Sequence, residues 1–375
     1  MIKTYAVKDL KPDMVTQADV KTKGGQLIVP KGTALTSRLI SRMAFYNIPS
    51  AVVLVPETED VPTSSTATEP VPEAPEVKQS VPLAAYSQKV MQSKEFQRFQ
   101  IDYSKTIASI HSVFDAYLLQ GQHLDSNTIL AETNELYHSC RTTLELFDML
   151  HNMRSMEDSV YAHSLNVALI ARRIGHWLKL DRETQDTLTL AGLLHDIGKL
   201  KIPPEILNKP GKFTDEEFAL VKQHPKLGYD LLKSLPLDTR IKKAALSHHE
   251  RCDGSGYPMG LTQDDTDDFA MIIAIADVYD AMTAARSYRA PLCPFQVIDN
   301  FEREGLSKYK PAYILTFLSH VASTYQNNRV MLSDGRAANI VMLNDKHLSK
   351  PIVQLLNGTC IDLSTEESLH IQALL

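Results

Sequence analysis

Five histidines and two aspartates between positions 163 and 277 stand in contexts that a random scatter of the chain's 13 histidines would not produce. His163 lies in Tyr161-Ala-His-Ser-Leu-Asn-Val, and His195-Asp196 in Gly192-Leu-Leu-His-Asp-Ile-Gly-Lys. His224 precedes Pro225, His248-His249 open the run His-His-Glu-Arg-Cys-Asp-Gly-Ser-Gly-Tyr-Pro, and Asp277 follows Met271-Ile-Ile-Ala-Ile-Ala. Asp196 and Asp277 both sit against apolar helix faces, where a carboxylate must be paired, hydrogen-bonded or bound to metal. Imidazole with carboxylate and no thiolate suits iron, manganese or zinc. The adjacent His195 and Asp196 can serve two ions if Asp196 bridges them. Two ions about 3.5–4 Å apart can activate a bridging hydroxide and clamp a phosphodiester. Isolated histidines such as His111, His138 or His320 are read as satisfied or solvated side chains. The combination, not any one motif, carries the metal reading.

The elements that must position these residues are helices. From about Ala84 to about Gln326 apolar residues recur at spacings of three and four, as in Ile107, Ile110, Phe114 and Leu118. Strand-like alternation is absent there, which predicts a large all-α domain. Residues 1–55 alternate instead. Two short strands joined at Gly24-Gly25, a helix capped by Thr36 or Ser37 and running through Tyr46, and a strand over Ala51 to Val55 predict a small α/β module. Residues 56–83 are rich in Pro, Glu, Ser and Thr and read as a flexible linker. After Asn328 two hairpins are expected, one turning at Gly335 and one at Asn357-Gly358. The predicted fold class is therefore mainly α. It comprises a small N-terminal α/β module (1–55), a linker (56–83), a helical catalytic domain (84–326) and a β-rich C-terminal extension (327–375).

The chain has 375 residues, 43% of them hydrophobic, which suffices for one sizeable core and smaller modules. Its net charge of −6 argues against a DNA-binding or membrane-surface protein. Cys140, Cys252, Cys293 and Cys360 form no CxxC pair and read as reduced thiols. No stretch reaches the ~20 apolar residues of a membrane span. A cytoplasmic location is the expectation.

The same residues resemble the HD-GYP family, a branch of the HD metallophosphohydrolase superfamily. His163, His195-Asp196 and Asp277 match the superfamily pattern. Lys199, His224-Pro225, His248-His249-Glu250, Gly256-Tyr257-Pro258 and Arg286-Ser-Tyr-Arg289 match the branch, over roughly residues 150 to 305. The resemblance implies a helical domain that binds two or three metals, often iron or manganese, and hydrolyses cyclic di-GMP to pGpG or GMP. Carried over position by position, His163, His195, Asp196, His224, His248, His249 and Asp277 match metal ligands, and Asp196 and Lys199 are the expected catalytic residues. Lys199, Tyr257, Arg286 and Arg289 are the expected substrate contacts. A lysine one helical turn beyond the His-Asp pair is also placed to stabilise charge on phosphorus. Tyr257 serves equally well as a base-stacking ring or as a packed loop anchor. Glu250 and Asp253 are candidates for orienting His248 or His249, and Asp280 for a structural role. Three-metal members carry Glu four residues before the first His; Ser159 stands there, with Glu157 and Asp158 close by, so two metals are expected. Residues 1–55 resemble a module often fused ahead of such domains, in which Gly usually replaces Asp13. The C-terminal stretch resembles an extension seen after some members.

Two other functions fit the same residues: a non-hydrolysing cyclic dinucleotide sensor that recruits a partner, and a phosphohydrolase for another nucleotide. A lost ligand would favour the sensor, and none is lost. A signalling protein is a candidate partner for residues 1–55 or the Gly256-Tyr257-Pro258 loop, and a second copy of the chain is another.

Overall fold

The computed structural model describes residues 2–11, 13–21, 27–36, 39–40, 43, 48–54, 81–153, 159–207, 209, 211–283, 292–304 and 306–375. They fall into two compact units, one within residues 2–54 and one within residues 81–375. Most of the expected linker lies outside the described residues.

In the N-terminal unit β1 (Ile2–Ala6) pairs antiparallel with β5 (Ser50–Leu54), Ile2 opposite Leu54 and Ala6 opposite Ser50. β2 (Val15–Thr16) takes the other edge of β5. Ala51 and Val53 alternate inward along β5, the period-two pattern of a sheet with one buried face. They pack with Val7, Leu10, Met14, Val29, Leu35 and Met43. β3 (Val20–Lys21) and β4 (Leu27–Val29) form the expected hairpin, although Gly24-Gly25 lie outside the described residues. Thr36 is the residue that caps: its Oγ accepts from Leu39 N at 3.2 Å. Ser37 and Tyr46 lie outside the described residues. Asp13 has φ of 70°. That left-handed conformation is a physical reason for the glycine usual in the resembling module, and Asp tolerates it better than most residues.

In the second unit α1 (Val81–Met91), α2 (Lys94–Gln120), α3 (Ser126–Ser139) and α4 (Thr143–Met153) precede the helices that carry the chemistry. α2 starts at a Ser93 cap and stops at Gly121, φ 66°. Between them Phe96, Phe99, Tyr103, Ile107, Ile110 and Phe114 form its buried stripe. α5 (Val160–Trp177) and α6 (Arg182–Leu194) cross in intimate contact. The crossing is at Gly192, where a Cβ would sit 2.6 Å from Ala168 Cα, so glycine is required for this approach. A 3-10 turn (Ile197–Lys201) and the short helices α7 (Pro204–Leu207) and α8 (Asp215–Val221) follow. Next come α9 (His224–Leu232) and α10 (Thr239–Ser247). α11 (Asp268–Thr283) is buried on almost every side, as its unbroken apolar run requires. α12 (Pro294–Glu304) and α13 (Pro311–Thr324) are the last α-helices among the described residues.

Five antiparallel strands end the chain: β6 (Arg329–Leu332), β7 (Ala337–Met342), β8 (Ile352–Leu355), β9 (Cys360–Asp362) and β10 (Ile371–Leu374). Their order is β10-β6-β7-β8-β9. Both expected hairpins are present, turning at Gly335 (φ 85°) and Gly358 (φ 88°). β10 packs on α1 and α12, and Cys293 Sγ lies 3.6 Å from Ile371 O, so the sheet belongs to the same compact unit as the helices. The fold is mainly α with a small sheet at each end, as the patterning indicates.

Candidate metal centre

Each candidate ligand stands near a helix end or on a buried helix face. His163 is in the first turn of α5, which Ser159 caps by accepting from Ala162 N at 3.2 Å. Ser159 therefore serves the backbone, while Glu157 and Asp158 lie outside the described residues. His195 follows α6, Asp196 opens the 3-10 turn, His224 begins α9, His248 follows α10, and Asp277 sits on α11. Gly198 brings two of these elements together. A Cβ there would lie 2.1 Å from His224 O and 2.4 Å from Gly228 N, so the 3-10 turn rests directly on the backbone of α9.

Hydrogen bonds set the tautomers. The Nδ1–H of His195 donates to Gly192 O at 2.7 Å, and that of His224 to Val221 O at 2.7 Å. His248 Nδ1 lies 3.1 Å from both Ala244 O and Ala245 O. A carbonyl only accepts, so each Nδ1 carries the proton and each Nε2 presents a lone pair. The Nε2 atoms of His224 and His248 face each other at 3.2 Å, both also close to Asp196 Oδ1, at 3.2 and 3.6 Å. Two imidazole lone pairs and a carboxylate oxygen at that spacing repel unless a cation sits among them. His195 Nε2 and Asp196 Oδ1 are buried with no hydrogen-bond partner. An orphaned buried lone pair is costly, and a divalent cation would remove the cost.

The donors form two sets: Asp196, His224, His248 and His249 on one side, and His163, His195 and Asp196 on the other, each within 4.8 Å. Asp196 belongs to both. Asp277 reaches towards each set, with Oδ1 3.0 Å from His163 Nε2 and Oδ2 3.8 Å from His249 Nδ1. All seven sequence-selected residues therefore converge, and the donor set fits divalent cations. Lys199 Nζ pairs with Asp196 Oδ2 at 2.5 Å.

Burial alone would keep the two carboxyls neutral. Lys199 and the surrounding imidazoles outweigh it for Asp196, as His163, His249 and His195 do for Asp277, so both are held well below the usual carboxylate range. Burial drives His195 down to about 3 and lowers His224 and His249 as well, which keeps these imidazoles neutral and able to ligate. His163 goes the other way. Its burial is overcome by Asp277 and Asp280, which raise it to about 10.

The surrounding groups differ from expectation. Glu250 does not orient a histidine through its carboxylate. It accepts from Met259 N at 2.7 Å and Leu261 N at 3.0 Å and so ties down the loop that carries Tyr257. Gly256 allows that loop to return, since a Cβ would lie 2.4 Å from Glu250 Cα. Asp253 caps the same loop by accepting from Ser255 N at 3.0 Å. Asp280 has the orienting role, accepting from His163 Nδ1–H at 2.8 Å, one turn along α11 from Asp277. The three-residue spacing of Asp277 and Asp280 is the sequence signal for it. Tyr257 stacks on His249, ring centroids 4.5 Å apart at 23°. Arg286 and Arg289 lie outside the described residues.

A helical bundle thus gathers five imidazoles and a second carboxylate around one shared aspartate, the arrangement expected of an HD metal-binding domain. The HD domain family model matches residues 137–313. A Pseudomonas aeruginosa protein named cyclic di-GMP phosphodiesterase is 31% identical over 278 residues, which cover 74% of this chain and 66% of that one. A Thermotoga maritima protein of the same name is 36% identical over 47% of this chain and 48% of its own. A Vibrio cholerae protein named 3′3′-cGAMP-specific phosphodiesterase 2 is 35% identical over 48% of this chain and 35% of its own. The chain thus spans between about half and two thirds of the length of the first two relatives. In fold it is similar to Bd1817, an HDG"Y"P protein from Bdellovibrio bacteriovorus (TM-score 0.53, 17% identity, 84% of this chain and 98% of that one). Residues 137–313 thus belong to the HD domain family. Among the described residues no helix is long and apolar enough to cross a membrane.

Proposed function

We propose that the chain is a metal-dependent phosphodiesterase that hydrolyses cyclic di-GMP to pGpG, GMP or both. The observation that carries this reading is Asp196, a buried carboxylate shared by two donor sets. Two divalent ions, iron or manganese by the family resemblance and within the iron, manganese or zinc that the donors suit, would be held by His163, His195, Asp196, His224, His248, His249 and Asp277. Bound there, they would supply a hydroxide nucleophile at neutral pH and Lewis acidity at the phosphate. The protein's own residues do the rest. The Nδ1–H bonds of His195, His224 and His248 fix the ring orientations before substrate arrives. Asp280 holds His163, and Glu250 holds the loop that presents Tyr257 to the substrate. Lys199 is 22% exposed in its side chain, at the edge of the buried cluster. Its ammonium, paired with Asp196 at that edge, would be placed to meet the phosphate's developing charge. Arg286 and Arg289 add phosphate contacts in this reading.

Three chain-wide proposals accompany it. Residues 84–326 are the catalytic domain. Residues 1–55, joined by the linker over 56–83, recruit a signalling partner, as the Tyr257 loop also can, and a second copy of the chain is a further partner. The location is cytoplasmic, with no DNA or membrane partner, consistent with the net charge of −6. The cGAMP-specific relative at 35% identity favours 3′3′-cGAMP as the second candidate substrate.

The test is turnover of cyclic di-GMP and 3′3′-cGAMP by protein loaded with iron or manganese. Product from the wild type and none from Asp196→Ala supports the reading; a fully metallated wild type that linearises neither substrate sinks it.

A further inference from the structure

We propose that the cavity beside the metal centre is a guanine subsite in which Glu304 reads the Watson–Crick edge of one base; this rests on the phosphodiesterase reading above. The cavity holds about 610 Å³, enough for a nucleoside, and is lined by His249 and Tyr257 together with Val278, Met282, Asn300, Glu304 and Lys308. His249 also belongs to the donor set around Asp196. A diester whose phosphorus sits on the centre therefore has its adjoining nucleoside within reach of the cavity.

The lining has the chemistry of a base pocket. Val278 directly follows Asp277, and Met282 is one turn further along α11, so two apolar side chains on one helix flank offer a surface for a flat ring. Asn300 and Glu304 are spaced in the same way on α12 and supply an amide and a carboxylate. An ionised carboxylate only accepts, from up to two parallel N–H groups. Guanine offers that pair, N1–H and the N2 amine, side by side on its Watson–Crick edge. Adenine presents the N1 lone pair there and would face the carboxylate with repulsion. Lys308 Nζ lies 3.6 Å from Glu304 Oε2, so the pair carries no net charge that would repel an anionic ligand. Arg251 also lines the cavity, its Nη1 donating to Glu250 O at 3.0 Å, and adds positive charge on the side of the centre.

The test uses the full chain, metal-loaded, with cyclic di-GMP, cyclic di-AMP and the base-free diester bis(p-nitrophenyl) phosphate. Glu304→Ala should lower kcat/KM for cyclic di-GMP relative to the base-free diester by roughly 10- to 100-fold, the scale of a lost charge-assisted pair, mainly through KM. Glu304→Gln, which replaces an acceptor with a donor, should narrow the preference for cyclic di-GMP over cyclic di-AMP by at least about tenfold. Wild-type ratios in both variants would overturn the guanine subsite while leaving the phosphodiesterase reading intact. A metallated wild type that cleaves none of the three diesters would overturn both.

Discussion

Gly198→Ala probes the contact on which the geometry of the centre depends. The added Cβ would lie 2.1 Å from His224 O, 2.4 Å from Gly228 N and 3.0 Å from Gly228 Cα, against an ordinary contact of 3.4–4 Å. All three atoms are backbone, so no side chain can swing aside. Either α9 or the 3-10 turn must retreat by about an ångström, and each carries a ligand, His224 or Asp196. Their ligand atoms are 3.2 Å apart, and His224 Nε2 is 3.2 Å from His248 Nε2. A shift of that size spoils the first donor set. Overpacking of this kind costs about 1–3 kcal/mol. The expected result is a lower urea midpoint, a folded circular dichroism spectrum, and loss of at least half of the bound metal and nearly all turnover. A Gly198→Ala protein with wild-type midpoint, metal content and activity would refute the packing account.

Three further outcomes follow from named contacts. Asp280→Asn keeps the size of the His163 partner and removes its charge; metal affinity should fall by about 10- to 100-fold with little change in the urea midpoint, and unchanged affinity would remove Asp280 from its orienting role. Glu250→Gln places an amide NH2 against one of two part-buried backbone N–H groups, so it should cost about 1 kcal/mol and raise proteolysis of the loop over residues 251–261; wild-type protease resistance would count against Glu250 as the loop's anchor. Asp148 is buried outside the centre, and burial raises it from 3.8 to about 7 despite its hydrogen bond from Tyr86. Because its folded value lies above the unfolded one, its contribution is fully present below pH ~4 and is lost as pH rises through ~7, on the order of 4 kcal/mol by pH 8. Asp148→Asn should flatten that decline, read as the urea midpoint against pH; an unchanged slope would place the titration elsewhere.

The candidate site was legible because metal chemistry selects residue types. Five histidines beside apolar runs are costly without a cation, and that cost shows in sequence as well as in space. The helical period and the two Gly-turned hairpins were legible for similarly local reasons. Three features were not. β10 pairs with β6 across some forty residues, and its short run, Ile371-Gln-Ala-Leu, follows no turn signal of the kind that marked β8 and β9. Glu250 lies beside His249 in the chain, so proximity suggested a role on the imidazole; only the returning loop shows that its carboxylate serves the amides of Met259 and Leu261. Gly198 read as part of a motif, but its physical reason is the backbone of α9, which no local pattern reveals.

The central claim is that one shared aspartate, Asp196, holds two cations for hydrolysis of a cyclic dinucleotide. Its most direct test is metal content per chain and cyclic di-GMP linearisation, measured on the same preparation of wild type and Asp196→Asn. The expected result is two iron or manganese ions per wild-type chain with linear product, and loss of metal and product together in the variant. Full metal occupancy and undiminished turnover in Asp196→Asn would contradict it.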